Sequence, residues 1–347
     1  MEKIRMALVG AGTWGANHAR IYKAHPFAEI VAICDMNLEK AQKVAAEEGI
    51  EKVYSDYNKM FAECECDAVA IVTPDFAHVD VAVAAANAKK HILIEKPLAT
   101  TREGVEAILE AVRRNGVRAM VDLHNRWNPP FHAAYQSIRA GELGNPYSAY
   151  FRLNDCRWVA TDMLPWAAKS SILWFLGSHS LDTLMWLFDS RPVRVYSVSK
   201  KGVLAAEGVD TVDEYLTTIE FANGAVAQME NGWVTPNGNP CVNDIKFNIL
   251  GDKGMIAVDA SNHNMIQKYT DTQVTVPDVI VQNHIFGQPK GFAFESIRAF
   301  VDCLLTGEEF PVSIEDAAYG VITLLAVMES AETRMPVEVH ADFIDAK

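Results

Sequence analysis

Residues 4–20, "IRMALVGAGTWGANHAR", decide the first half of the fold. An apolar run of strand length stops at a glycine, and a helical pattern begins just after it. Gly10, Gly12 and Gly15 make the motif G-x-G-x-x-G at that turn. Between a strand and a helix, this spacing points to a dinucleotide. Gly10 allows the tight turn, Gly12 lets the backbone approach a pyrophosphate, and Gly15 allows close helix–strand packing. Free N–H groups at the helix start then face the phosphates. Thr13 and Trp14 lie inside the motif and join the glycines as cofactor-contact candidates.

The same alternation continues outward. "EIVAICD", "DAVAIVT", "HILIE" and "VRAMVDL" read as strands, with helical patterns over 38–48, 79–88 and 102–115 between them. Strand–helix alternation implies βαβ crossovers and a parallel sheet. The near-continuous apolar character of "DAVAIV" and "HILI" fits strands covered on both faces. After about residue 124 the pattern changes. Helical segments near 130–140 and 172–188 are followed by alternating runs, "RVYSVS", "EYLTTIEFANGAVAQMENGWV" and "DIKFNILGDKGMIAVD". Asn223-Gly224 and Asp252-Lys253-Gly254 are hairpin signals. Two helical patterns, about 292–305 and 314–332, close the chain. The fold class is α/β: an N-terminal Rossmann domain with a parallel sheet, residues 1–124, then an α+β domain with a large, mostly antiparallel open sheet, residues 125–347.

A chain of 347 residues suits two such domains. Its 31 Lys+Arg against 45 Asp+Glu leave a net charge of −14. That balance speaks against nucleic acid and against an anionic membrane surface as partners. Half of the residues are hydrophobic, which excludes a disordered chain. The six cysteines are scattered, and Cys64-x-Cys66 is not a zinc or thioredoxin-like spacing. They read as buried reduced thiols. The N-terminus lacks a signal-peptide pattern, and no apolar stretch reaches the ~20 residues that span a bilayer. The expected location is cytoplasmic.

Asp35 follows Gly15 at the end of the second strand pattern. An acidic residue there hydrogen-bonds ribose hydroxyls and repels a 2′-phosphate, which favours NAD over NADP. The alternative for Asp35 is a helix N-cap before "NLEKAQKVAAEEG".

Glu95-Lys96-Pro97 follows the fifth strand pattern, Thr73-Pro74 and His78 follow the fourth, and "GSHSLDTLMWLF" covers 177–188. With the glycine motif, these make the chain resemble the Gfo/Idh/MocA oxidoreductases over nearly its whole length. The resemblance implies that Lys96 lies beside a reacting hydroxyl, that a cis bond before Pro97 is allowed, and that His179 is the acid/base residue. It implies that Asp182 contacts the substrate or orients His179. Thr73, Pro74, His78, Glu95 and Lys96 match positions near the nicotinamide. The residue chemistry agrees: a lysine before proline at a strand end is extended and faces the ligand crevice. A histidine titrates in the range needed to take a hydroxyl proton. His179 and Asp182, three apart, share a helix face.

One position departs from the family pattern. Many relatives carry Asp four residues before the histidine, where this chain has Phe175. An apolar wall replaces a carboxylate, which puts a three-residue mechanism in doubt. Asn125 and Arg126, after the last Rossmann strand, are candidates to hold cofactor or substrate; a structural salt bridge is the alternative for Arg126. Arg157, Trp158 and Trp166 combine aromatic and polar groups that suit a sugar or glycoside. Packing or a subunit interface is the alternative for the tryptophans. His124, His132, His263 and His284 show no metal-ligand spacing, so no metal is assigned.

The reading is an NAD-dependent oxidoreductase that takes hydride from a secondary hydroxyl of a small neutral sugar, cyclitol or glycoside. The alternatives are redox-neutral chemistry on tightly held NAD, or a non-catalytic NAD-sensing protein. A homodimer or homotetramer through the C-terminal sheet is expected, because an apolar open sheet face needs cover.

Overall fold

The computed structural model describes residues 3–261 and 265–345. His263, one of the histidines weighed as a metal ligand, lies outside the described residues. The chain divides into two units: residues up to 124 together with Ile280–Ala318, and Asn125–Val279 together with residues from Tyr319 onward.

The first unit is built on β1 (Ile4–Val9), β2 (Ala28–Cys34), β3 (Lys52–Tyr54), β4 (Ala68–Ile71), β5 (His91–Ile94) and β6 (Ala119–Val121). Their order is β3-β2-β1-β4-β5-β6, every pair parallel. The order reverses between β1 and β4, and such a reversal opens the ligand crevice of doubly wound sheets. The helices are α1 (Thr13–Ala24), α2 (Leu38–Glu48), α3 (Tyr57–Glu63), α4 (His78–Asn87) and α5 (Arg102–Asn115). Local chemistry sets several ends. Asn37 caps α2 by accepting from the Lys40 N–H, and Thr101 caps α5 by accepting from the Gly104 N–H. Every residue of β4 is buried, as its unbroken apolar run requires.

The second unit carries α6 (Pro129–Arg139), β7 (Pro146–Cys156), α7 (Ser178–Phe188), β8 (Pro192–Lys200), the short α8 (Val203–Ala206), β9 (Glu214–Phe221), β10 (Val226–Thr235), β11 (Asn243–Gly251) and β12 (Met255–Asp259). Two-residue strands β13 (Lys268–Tyr269) and β14 (Val274–Thr275) form a separate hairpin. Further along come β15 (Asn283–Ile285), β16 (Gln288–Lys290), α9 (Phe292–Thr306), α10 (Ile314–Thr333) and β17 (Val337–Glu338). The large sheet runs β12-β11-β7-β10-β9-β8-β17. Its neighbours are antiparallel except β7 and β10, which are parallel. Period-2 alternation puts Phe151, Leu153, Met229, Trp233 and Phe247 inside and leaves Tyr150, Tyr196, Leu216 and Val226 exposed. Helix α7 packs over β7 and β10 on the inner face.

Residues 280–318, expected in the second domain, cluster with the first. The reason is packing: α9 buries Phe294, Ile297 and Phe300 and lies against α1 and β1. A helical period shows that α9 has an apolar face but not which surface that face covers. The helix expected over 172–188 begins as a single π turn, Leu173–Gly177, before α7. All six cysteines are free thiols. Among the described residues, no helix is long and apolar enough to cross a membrane.

Candidate functional site

In the first unit, the glycine loop joins β1 to α1. Gly10 has φ +109°, and a Cβ there would lie 2.3 Å from the Val72 carbonyl oxygen. A Cβ on Gly15 would lie 2.1 Å from the Gly10 oxygen, so both positions exclude side chains for packing reasons. Gly12 is different: a Cβ there meets nothing within 4 Å. It is exposed and leaves open space beside the N-terminus of α1, where no side chain caps the first turn. These residues fit a dinucleotide pyrophosphate. Asp35 accepts from the Ala11 N–H at 2.7 Å through Oδ2 and from the Asn37 N–H at 2.8 Å through Oδ1. It braces the loop from the end of β2. The helix-cap alternative for Asp35 is corrected, since Asn37 is the N-cap of α2.

Three strand ends converge next to this loop. After β4, the His78 ring sits between the Thr73 carbonyl oxygen at 3.0 Å and the Pro97 carbonyl oxygen at 2.7 Å. It thereby ties the Thr73-Pro74 turn to the turn after β5. Burial lowers the His78 pKa, and the two carbonyls oppose that. After β5 come buried Glu95, half-buried Lys96 and a cis Lys96–Pro97 bond. Glu95 Oε1 accepts from Trp14 Nε1 at 2.7 Å and lies 2.9 Å from His18 Nε2. After β6, buried Asp122 accepts from Ser296 Oγ of α9, and the His124 ring lies tilted against Trp14 and Phe292. Sequence reasoning brought Trp14, Thr73, His78, Glu95 and Lys96 to this place. It missed His18, Asp122 and Ser296. The available signal was a carboxylate directly after the apolar run Ala119–Val121.

In the second unit, α7 presents His179 and Asp182, 6% and 1% exposed. Asn231 of β10 fixes the helix by donating from Nδ2 to Ser180 Oγ at 2.9 Å and to the Leu153 oxygen at 3.0 Å. Asp182 is held by Arg126 in a two-pronged ion pair, Nε to Oδ2 at 3.1 Å and Nη2 to Oδ1 at 2.6 Å. The salt-bridge alternative for Arg126 is what the structure displays, and it engages the carboxylate expected to meet substrate. Asn125 is buried beside Arg126 in the same turn. Phe175, in the π turn before α7, has its ring 5.6 Å from Trp233 and 6.4 Å from Trp166. The three rings make one aromatic wall, and Trp233 was not anticipated. Single π turns recur at functional sites because they re-aim side chains within a helix. Arg157 pairs instead with Glu207 at 2.7 Å, and the Trp158 N–H donates to Asn237.

Comparison with known proteins agrees with this fold. The family model described as an oxidoreductase family with an NAD-binding Rossmann fold, Gfo/Idh/MocA, matches residues 4–123. Its C-terminal alpha/beta domain matches residues 136–339. The scyllo-inositol 2-dehydrogenase (NAD(+)) of Bacillus subtilis is 28% identical over 97% of this chain and 96% of its own length. The levoglucosan dehydrogenase of Pseudarthrobacter phenanthrenivorans is 30% identical over 77% of this chain and 76% of its own. The crystal structure of scyllo-inositol dehydrogenase from Lactobacillus casei with NAD(H) and scyllo-inositol superposes with a TM-score of 0.83. It is 19% identical and covers 97% of this chain and 99% of its own, a likeness of fold.

Proposed function

The chain belongs to the Gfo/Idh/MocA oxidoreductase family, and from that premise we propose that it oxidises a secondary hydroxyl of a cyclitol or sugar to the ketone. Its cofactor is NAD, which supplies the hydride-acceptor chemistry. Gly10, Gly12 and Gly15 hold the pyrophosphate, and Asp35 holds the adenosine ribose. An imidazole nitrogen of His179 takes the hydroxyl proton. Lys96 Nζ donates a hydrogen bond to the same oxygen and stabilises the charge that develops there. Trp166 and Phe175 offer flat apolar faces to the C–H side of a ring. The carrying observation is the open space at Gly12 in a loop that Gly10 and Gly15 otherwise close. Relatives acting on scyllo-inositol and levoglucosan, with the −14 charge of this chain, support a neutral polyhydroxy substrate.

The test is a panel of inositols, sugars and glycosides followed for NADH and keto product together. Stoichiometric NADH and ketone are expected from at least one polyol. Lys96→Ala and His179→Ala should each lower kcat by about 10² to 10⁴. Full activity in both variants sinks the assignment. Phe175, in place of a carboxylate, favours a second reading in which NAD is retained and the net reaction is redox-neutral. Mass spectrometry of the purified protein would then find bound NAD, with substrate consumed and no NADH released. The exposed Tyr150, Tyr196, Leu216 and Val226 support association through the outer sheet face, which light scattering of the purified protein measures. Free buried thiols suit the cytoplasm.

A further inference from the structure

Under the Glu95–Lys96 strand end lies a cluster that the proposed mechanism leaves unused. His18 from α1, Glu95 after β5 and Asp122 after β6 bring one side-chain ligand atom each to within 4.8 Å of one another, and all three residues are buried. Glu95 and Asp122 thus stand as two buried carboxylates close enough for each charge to act on the other. Asp122 Oδ1 accepts from Ser296, while no other donor reaches Oδ2. Two buried like charges at this range disfavour one another, so the pair is stable when one carboxyl carries a proton. A cation fits poorly here, because the Trp14 indole N–H points at Glu95 Oε1 and His18 Nε2 already lies 2.9 Å from that oxygen.

We propose that Glu95 and Asp122 share a single proton and, as that pair, act as positioning residues for Lys96. The proposal rests on the reading that places Lys96 at the reacting hydroxyl. Every element packed around the pair contributes a group. Helix α1 brings Trp14, His18 and Tyr22, the turn after β5 brings Lys96, the turn after β6 brings His124, and α9 brings Ser296. Burial, then the Glu95 charge, pushes Asp122 up to about 7, and burial also raises Glu95. Burial pushes His18 down to about 4, so its ring is neutral. Nε2–H donates to Glu95, and Nδ1 accepts from the Tyr22 hydroxyl at 3.2 Å. Burial likewise keeps the Tyr22 phenol protonated and lowers His124. Lys96 follows Glu95 directly in the chain, and its charge acts on Glu95, His78 and His124 alike. With one shared proton the pair carries one negative charge. Loss of that proton adds a second charge beneath Lys96 and draws the ammonium toward Glu95.

The test uses the full chain with NAD bound and needs no turnover. Infrared difference spectra between about pH 6 and about pH 9 should show a protonated-carboxyl C=O band that disappears as pH rises. Asp122→Asn and Glu95→Gln should each abolish it. Ser296→Ala, which removes one donor to the ionised form, should move its midpoint upward. The ¹³C signal of reductively dimethylated Lys96, assigned through Lys96→Arg, should step at the same pH in the native chain and lose the step in Asp122→Asn. A native chain without the band, a band surviving both carboxyl substitutions, or an unmoved midpoint in Ser296→Ala overturns the shared proton. A Lys96 signal identical in native and Asp122→Asn overturns the positioning role. If no polyol is oxidised, the functional reading fails while these spectra still decide the proton.

Discussion

Glu95 and Asp122 meet at the ends of β5 and β6 among neutral donors, whereas Arg126 and Asp182 meet at α7 as a two-pronged ion pair. Both clusters are buried, and both sit beside a residue of the proposed chemistry, Lys96 in one and His179 in the other. In the ion pair, charge is balanced by an opposite charge. In the carboxyl pair, excess charge is removed by keeping a proton. Deleting one member of a buried ion pair leaves an uncompensated charge. Neutralising one member of a proton-sharing pair leaves hydrogen bonding largely in place. The two regions should therefore answer the same kind of substitution differently.

The largest effect is expected from Asp182→Ala. It strands the Arg126 guanidinium, 9% exposed, and should destabilise the protein by about 3–5 kcal/mol in urea unfolding. The double variant Arg126→Met/Asp182→Leu should recover most of that loss, because two apolar groups need no partner. A single-variant loss under about 1 kcal/mol would erase the contrast between the regions.

Next in size is the pH response, which only the carboxyl cluster should show. Asp122, folded at about 7 against a usual value of 3.8, keeps a proton that the unfolded chain has lost. Its contribution to native stability is therefore lost as pH rises from about 4 to about 7. His18, folded at about 4 against 6.5, works the other way, and its contribution grows as pH rises from about 4 to about 6.5. The stability difference between Asp122→Asn and the native chain should thus climb with pH across the first window. The same difference for His18→Gln should fall across the second. Urea midpoints at a series of pH values measure both, and slopes of one sign would break the assignment.

These two clusters were unequally legible in the sequence. The glycine loop stood out as a local pattern of turn glycines, whereas Glu95-Lys96 and His179 stood out through the resemblance to the family, since a lysine before proline or a histidine on an apolar helix says little alone. The parallel sheet was readable from its alternation, and the hairpins from Asn223-Gly224 and Asp252-Lys253-Gly254. Asp122 was not, since one carboxylate after an apolar strand looks like a solvated strand end. Its burial depends on Ser296, 174 positions away along the chain, reaching it from α9. Nor did the sequence show that α9 packs on α1 and β1, because periodicity reports a buried face and never its partner. Asp182 was seen, but its engagement by Arg126 needed two elements to be folded together.

A smaller effect should come from Gly12→Ala. The added methyl meets no protein atom within 4 Å, so stability should stay within about 0.5 kcal/mol of native. NADH affinity, followed by fluorescence titration, should weaken by tenfold or more, about 1.4 kcal/mol, because the methyl takes the space of the pyrophosphate. Unchanged affinity would mean that the open space serves something else.

The smallest effect on NADH affinity is expected from Trp14→Phe, and it probes how the cofactor loop is joined to the carboxyl pair. Phenylalanine keeps the aromatic packing against Phe294 and His124 but removes the N–H that donates to Glu95 Oε1 at 2.7 Å. Glu95 retains His18 as a donor, and its charge is spread across the pair with Asp122. The loss should therefore sit at about 1.5 kcal/mol, the low end for a bond to a charged group. If Glu95 were instead an isolated carboxylate, losing a donor would cost closer to about 3 kcal/mol. Trp14 also opens α1 directly under the glycine loop, so the variant should weaken NADH binding by a few-fold while Asp182→Asn leaves that affinity alone. Stability and affinity measured together on these two variants separate a cluster that serves the cofactor from one that serves the sheet domain.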